Sequence, residues 1–154
     1  MKKIIAVALL TVAVLTSVIA FTGCKSYEIN YGNYEYYGIR LTNTETGEVT
    51  DESKEETKEP LTMPVSVEFR EDGSCSMNFN DYETLELTYK VNGKGEVNFN
   101  GEKADKLGIK GYDSPHGFFE NGNFYYIWAY NFETHIERSS ICVLAQQAET
   151  DKNG

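Results

Sequence analysis

The sequence predicts an all-β fold, an antiparallel meander of about eight strands that closes into a barrel-like domain after an N-terminal signal helix. Three observations support this prediction. Short segments alternate apolar and polar residues with a two-residue period, glycine and asparagine recur between them, and helical periodicity is nearly absent after residue 24. A closed barrel of about eight strands is either just filled by its side chains or holds one small ligand.

Residues 1–23 have the pattern of a secretory signal peptide. Lys2 and Lys3 form a basic n-region, and an uncharged apolar run covers residues 4–23. Three interpretations stay open at this point. A signal peptidase cuts after Ala20, or the uncut run spans the membrane as a helix, or the chain is cut just before Cys24.

Thr22, Gly23 and Cys24 resemble the lipobox of bacterial lipoprotein precursors, with Phe21 where an aliphatic residue is more usual. The resemblance implies cleavage before Cys24 and a diacylglycerol, with acyl chains such as palmitate, on its sulfur. A thiolate is a good nucleophile for that bond, and two acyl chains anchor a protein stably. Residues 24–30 then form a lipidated tether, and the domain is held at the extracytoplasmic face of the cell membrane.

The acidic composition excludes several classes of partner. The formal net charge is −10, which argues against nucleic acid and against polybasic docking on anionic lipid. Membrane contact is therefore expected through the acyl chains alone. No Cys-x-x-Cys or His-x-x-His spacing occurs, so we predict no metal site and no cofactor beyond the lipid.

The domain is predicted to cover residues 31–147, followed by a frayed tail at 148–154. The first strand lies within residues 31–41, where Gly32 and Gly38 would let the strand bend or a neighbouring backbone approach closely. Residues 42–64 lack apolar alternation, and their centre at 51–59 is almost wholly charged. We therefore predict a mobile acidic loop there.

Four further strands are predicted in close succession, at residues 65–69, 75–79, 85–91 and 97–99. Asp72-Gly73 and the turn at 92–95 join neighbouring strands. Residues 100–114 are ambiguous between a short strand and a helical turn. A hairpin with Asn121-Gly122 at its tip follows, then a polar linker at 131–138 and a last strand at 141–145.

The mature part resembles the small lipocalin-like β-barrels that follow lipoboxes in bacteria. The similarity lies in Gly32-Asn33-Tyr34, the acidic insertion after the first strand, and the strand at 65–69 with its Asp72-Gly73 turn. The resemblance implies a fold, and it carries no shared chemistry.

Cys75 and Cys142 each lie in an apolar, strand-like context. Outside the cytosol they could form a disulfide, and two separate buried thiols are equally compatible with the pattern. Both alternatives stay open.

Four aromatic residues share one face of the strand at 123–130, and its other face is also apolar: Phe124, Tyr126, Trp128 and Tyr130 on the first, Tyr125, Ile127 and Ala129 on the second. The aromatic stripe is a candidate surface for a sugar or apolar ligand, and the alternative is that its rings fill the barrel. Because both faces are apolar, one of them must pack on the segment at 100–114, a partner or a ligand.

Catalysis finds little support. Ser114 and His116 are near in sequence, but they form no recognisable set of acid, base and nucleophile. We therefore expect a non-catalytic binding module for a small apolar or sugar ligand. The alternative is a protein-interaction or inhibitory lipoprotein that uses the acidic loop and the aromatic face.

Overall fold

The computed structural model describes residues 29–53, 63–80 and 84–145. These residues form nine strands and a short 3₁₀ helix, Ala104–Lys106, between the sixth and seventh strands. The strands are β1 Gly32–Asn43, β2 Val49–Ser53, β3 Pro64–Phe69, β4 Ser74–Phe79, β5 Leu85–Val91, β6 Glu96–Asn100, β7 Gly117–Glu120, β8 Asn123–Asn131 and β9 Ile136–Leu144.

Eight of the strands close into an antiparallel barrel, as the sequence predicted. The order is β1-β3-β4-β5-β6-β7-β8-β9, and β9 pairs back onto β1 from Tyr34↔Leu144 to Asn43↔Ile136. β2 is an additional strand. The first half of β1 pairs with β3 and its second half pairs with β2, so β3 and β2 lie one after the other along the same edge of β1.

The tight turns follow local backbone chemistry. Asn121 and Gly122 both have positive φ, 53° and 79°, which is the conformation of a two-residue type I′ hairpin. Gly73 has φ 82° in the β3–β4 turn, where Ser74 N donates to Asp72 Oδ1 at 2.8 Å. These positions need residues that tolerate the left-handed region.

Three sequence predictions need correction or completion. The predicted acidic loop at 42–64 contains β2, whose polar residues are held by pairing with β1 instead of by burial of an apolar face. The polar linker at 131–138 is shorter than expected, because β9 already begins at Ile136. The segment at 100–114 contains a helical turn, and Leu107 next to it is buried in the core.

Both ends of the barrel domain lie at one rim. Ala145 N donates to Asn33 O at 2.7 Å, so the chain leaves the barrel beside the place where it enters. We call this end, with the turns β3–β4, β5–β6 and β7–β8, the near rim. The far rim carries the β1–β2 and β8–β9 turns and the segment at 101–116.

The barrel core consists mainly of aromatic rings toward the near rim. Phe69 is at its centre, with ring centroids of Phe124, Phe119 and Tyr34 at 4.9, 5.0 and 5.7 Å in edge-to-face geometry. Such contacts add to the large apolar area that each ring removes from water. A smaller cluster of Tyr36, Ile39 and Met63 lies apart from this core.

The two domain cysteines are separate buried thiols, so the disulfide alternative is wrong. Cys75 lies on β4 and Cys142 on β9, and β1 and β3 stand between these strands. At about 4.8 Å per strand the two Cα atoms are beyond the ~7 Å reach of a disulfide. Burial raises the pKa of each thiol to about 12.

The predicted signal peptide, Cys24 and most of its tether lie outside the described residues, as do residues 54–62 of the predicted acidic loop and the tail from residue 146. In the part of the chain that the structure describes, no helix has the length and hydropathy needed to cross a membrane.

Candidate ligand-binding groove on the outer wall

The aromatic stripe predicted on β8 is divided between the two sides of the barrel wall. Phe124 and Tyr126 are buried in the core, 0% and 4% exposed, and Trp128 packs against both hydrophobic clusters. The register with β9 shifts between Ile127 and Ala129. A bulge of this kind breaks the two-residue alternation, so Tyr130 pairs with outward-facing Glu137 and leaves the interior.

Tyr130 belongs instead to a surface aromatic cluster at the far rim, formed with Tyr112 and Phe132. The Tyr112 and Tyr130 rings stack with centroids 3.8 Å apart at 4°, and Phe132, 53% exposed, meets Tyr130 edge-on at 5.0 Å. Tyr112 Oη donates to Glu137 Oε2 at 2.7 Å, while Tyr130 Oη lies 3.1 Å from His135 Nδ1. Hydrogen bonds to the hydroxyls hold these rings.

The second, outward face of β8 packs on two side chains from elsewhere on the barrel wall. The Arg40 guanidinium lies over the Tyr125 ring, 4.2 Å from its centroid, and Phe118 stacks against the same ring at 4.8 Å and 6°. Arg40 and Phe118 cover the Tyr125 ring by cation–π contact and stacking, and leave it 3% exposed. Tyr125 therefore does not need the segment at 100–114, a partner or a ligand to cover it.

Arg40 also ties β2 to the barrel. Its Nε and Nη2 donate to the two carboxylate oxygens of Asp51 at 2.7 and 2.9 Å, and its Nη1 donates to Glu120 Oε2 at 2.5 Å. Its side chain is only 13% exposed. The Arg40 hydrogen bonds lower the pKa of the Asp51 carboxyl, and the same bonds raise the pKa of Arg40. Because Arg40 donates to both carboxylate oxygens of Asp51, this pair fixes the orientation of the two side chains as well as their distance.

Gly38 allows β2 to lie close against β1. A Cβ at Gly38 would stand well inside contact distance of the Glu52 carbonyl oxygen, so only glycine permits this approach. This confirms the expectation that a neighbouring backbone would come close at this position. A β-bulge beside it, between Tyr36 and Gly38, leaves Tyr37 on the outer face and 56% exposed.

Between β2 and the outer faces of β8 and β9 lies a groove of about 340 Å³. Ile141 and Val143 form its apolar floor, and Tyr37 supplies an exposed ring. Its polar lining consists of Asp51, Glu52, Ser53, Asn123 and the Tyr125 side chain, whose hydroxyl is hydrogen-bonded to Asn123. The volume is in the range of small-molecule sites.

The ionisable residues singled out for catalysis have structural roles. His116 Nδ1 accepts a hydrogen bond from Phe99 N at 2.8 Å, the two rings stack at 5.8 Å, and burial lowers the pKa of His116. Ser114 Oγ donates to the carbonyl of Pro115 and not to His116. Among the described residues, no group of three or more His, Cys, Asp or Glu side chains is placed to hold a metal ion.

The sequence did not indicate the groove. Asp51 and Glu52 belonged to a segment interpreted as a loop, and Tyr37 lies within the predicted first strand at 31–41. The usable signal was Gly38, since a glycine within a strand marks close backbone approach. Comparison of the chain with models of known protein families, with curated proteins and with solved structures found no match.

Proposed function

We propose that the protein is a lipid-anchored, extracytoplasmic binding module that holds a small ring-shaped polar ligand, of the sugar class, in the groove between β2 and β8–β9. The groove itself is the observation that carries the proposal. In this role the protein binds its ligand without catalysis, and the diacylglycerol on Cys24 is the one group attached to it.

The lining suits a sugar better than a wholly apolar ligand. A pyranose has an apolar C–H face that packs on an aromatic ring, and Tyr37 offers a half-exposed ring beside the Ile141 and Val143 floor. Its hydroxyls need hydrogen-bond acceptors and donors, which Asp51 and Asn123 can supply. By contrast, the rings inside the barrel contact one another, so the near-rim end of the interior is occupied by protein.

Equilibrium binding to a panel of monosaccharides tests this proposal, with the full-length protein in a polyoxyethylene detergent so that no sugar headgroup competes. Tyr37→Ala should weaken binding of the best sugar about tenfold, since the lost ring contact contributes about 1–1.5 kcal/mol. Tyr31→Ala is the matched control, because Tyr31 is 47% exposed and lies outside the groove. Equal losses in both variants, or no sugar binding at all, would contradict the proposal.

The anchor is tested independently. Cys24→Ala should release the protein from membranes or leave it at precursor size, whereas Ser26→Ala, two residues along the predicted tether, should behave as wild type. Fractionation with gel mobility measures both. A Cys24→Ala protein that is processed and membrane-bound like wild type would rule out lipidation at this residue.

A second candidate function is protein interaction, and one observation favours it. The surface aromatic cluster exposes Phe132, and β2 is paired within the described residues only through β1, so its other edge is a template for an added strand. Cross-linking from a photoreactive residue at position 132 on intact cells tests this candidate. A specific protein adduct would support the interaction role over the sugar role.

A further inference from the structure

Two hydrogen-bond donors on the inner wall of the barrel are without an acceptor among the described residues. Trp128, the only tryptophan of the chain, packs on both hydrophobic clusters, and its buried Nε1 donates to no atom of the described ranges. Tyr126, two residues earlier on β8, is 4% exposed, and its hydroxyl has no hydrogen-bond partner in the described part of the chain. Burial raises the pKa of this hydroxyl, so Tyr126 keeps its proton.

Arg138 adds a positive charge to the same inner face. On β9 it stands directly between Leu41 of β1 and Ala129 of β8. Leu41 packs against Ile39 of the smaller inner cluster, and cross-strand partners share a face of the sheet, so the partly buried Arg138 side chain also faces inward. The register therefore places Arg138 beside Trp128, on the inner wall toward the far rim.

Arg138 differs from the other two arginines of the chain in having no carboxylate partner. Arg40 and Arg70 each engage two carboxylates, whereas Arg138 forms no ion pair with any described residue. A buried donor or a partly buried charge is destabilising when it lacks an acceptor. A carboxylate can accept from all three groups, and its single negative charge matches one guanidinium, whereas a phosphate monoester carries nearly two.

We infer that the inner wall near the far rim binds the carboxylate of a small acid through Arg138, Tyr126 and Trp128. The rest of the acid is apolar, because Ile39 and Leu41 line the same face. It is also short, because aromatic rings fill the interior toward the near rim. This inner donor site lies on the opposite side of the wall from the sugar groove, so the inference goes beyond the proposed function and does not depend on it.

Trp128 itself can report binding, since a chain with one tryptophan gives one indole N–H signal in a nitrogen–proton NMR spectrum. Titration of the full-length protein with hexanoate, again in polyoxyethylene detergent, should move this signal downfield as Nε1 donates to the carboxylate. Hexanamide, a neutral counterpart of the same length, and acetate, which lacks the apolar chain, should each bind about tenfold or more weakly. Equal affinity for hexanamide would contradict an anion site, and equal affinity for acetate would contradict an apolar ligand body.

Two variants test the donors in the same titration. Arg138→Gln should weaken hexanoate binding about tenfold through the lost charge-assisted hydrogen bonds, and Arg70→Gln is the matched control, since Arg70 already engages Glu68 and Glu86. Tyr126→Phe should weaken binding about threefold and leave the thermal midpoint unchanged, because its hydroxyl has no partner to lose among the described residues. An indole signal that hexanoate does not move, or equal affinities in Arg138→Gln and Arg70→Gln, would overturn the inference while sugar binding in the groove stood.

Discussion

Aromatic residues occupy two regions of this molecule in two different ways. Inside the barrel, Phe69 and Phe124 are packed among other rings and are 1% and 0% exposed. At the far rim, Tyr112 and Tyr130 stack face to face at 3.8 Å, hydrogen bonds of their hydroxyls hold them, and Phe132 beside them is half exposed. The inner rings should therefore determine stability, and the outer rings should be free to vary without loss of the fold.

The largest expected difference comes from truncating one ring in each region. Phe124→Ala should lower the free energy of unfolding by about 3–5 kcal/mol, because it leaves a cavity among rings that cannot all collapse into it. Phe132→Ala should cost less than about 1 kcal/mol, since half of its ring is already exposed. Chemical denaturation of both variants measures the contrast, and similar midpoints would refute it.

A second prediction concerns the contact on which the groove depends. Gly38→Ala places a methyl group against the Glu52 carbonyl, so β2 must move away from β1 at an expected cost of about 1–3 kcal/mol. Hydrogen exchange should show faster exchange of the β2 amides, and equilibrium binding should show a lower affinity for the sugar. Gly93→Ala is the control, because nothing lies within 4 Å of a Cβ at that turn position. Unchanged β2 protection in Gly38→Ala would show that the approach is not tight.

Most of the fold could be predicted from the sequence because its signals are local. The alternation of residues 65–69 and 85–91 and the Asn121-Gly122 turn each specify a strand or a hairpin within a few residues. β2 could not be found in this way. Its five residues, Val49–Ser53, include little apolar side chain, and pairing to a distant stretch of β1 stabilises them.

A third, smaller effect should be a pH dependence of the free energy of unfolding that arises from His116, which stacks on Phe99 of the inner core. Burial lowers the pKa of His116, whose Nδ1 accepts a hydrogen bond from Phe99 N. The unfolded chain, with a histidine pKa of about 6.5, is protonated first as pH falls. Stability should therefore be complete above about pH 6.5 and decline below it, until the lowered folded-state pKa is passed.

Denaturation at about pH 7.5 and 5.5 measures this decline in the free energy of unfolding. His116→Asn, which keeps an acceptor near Nδ1, should show a weaker decline. An unaltered decline in His116→Asn would assign the effect to other groups.

The smallest effect is expected from the polar contacts of the outer cluster. Tyr130→Phe removes a hydroxyl that lies 3.1 Å from His135 Nδ1 and 3.2 Å from Thr44 Oγ1. Because these groups are open to solvent, the cost should be about 0.5 kcal/mol or less. Thermal unfolding measures this cost. Tyr112→Phe, which loses the hydrogen bond to Glu137, is measured in parallel for comparison. A cost above about 1.5 kcal/mol would mean that the outer cluster also supports the fold.

The candidate site was harder to predict than the fold because it depends on two irregularities in the sheet. The bulge near Trp128 sends Tyr130 outward and so divides a stripe that strict alternation would keep on one face. The bulge before Gly38 exposes Tyr37. Neither shift has a clear local sequence signal, since each depends on pairing with β9 across the wall.

The first and last strands of the barrel meet at one rim, and this has a consequence for protein engineering. Ala145 N donates a backbone hydrogen bond to Asn33 O, so a short linker could join the barrel domain at these two positions. New ends could then be opened at an exposed turn such as Gly93-Lys94 without cutting a strand. The barrel is thus suited to circular permutation, and equally to insertion as a guest domain into a surface loop of a host protein.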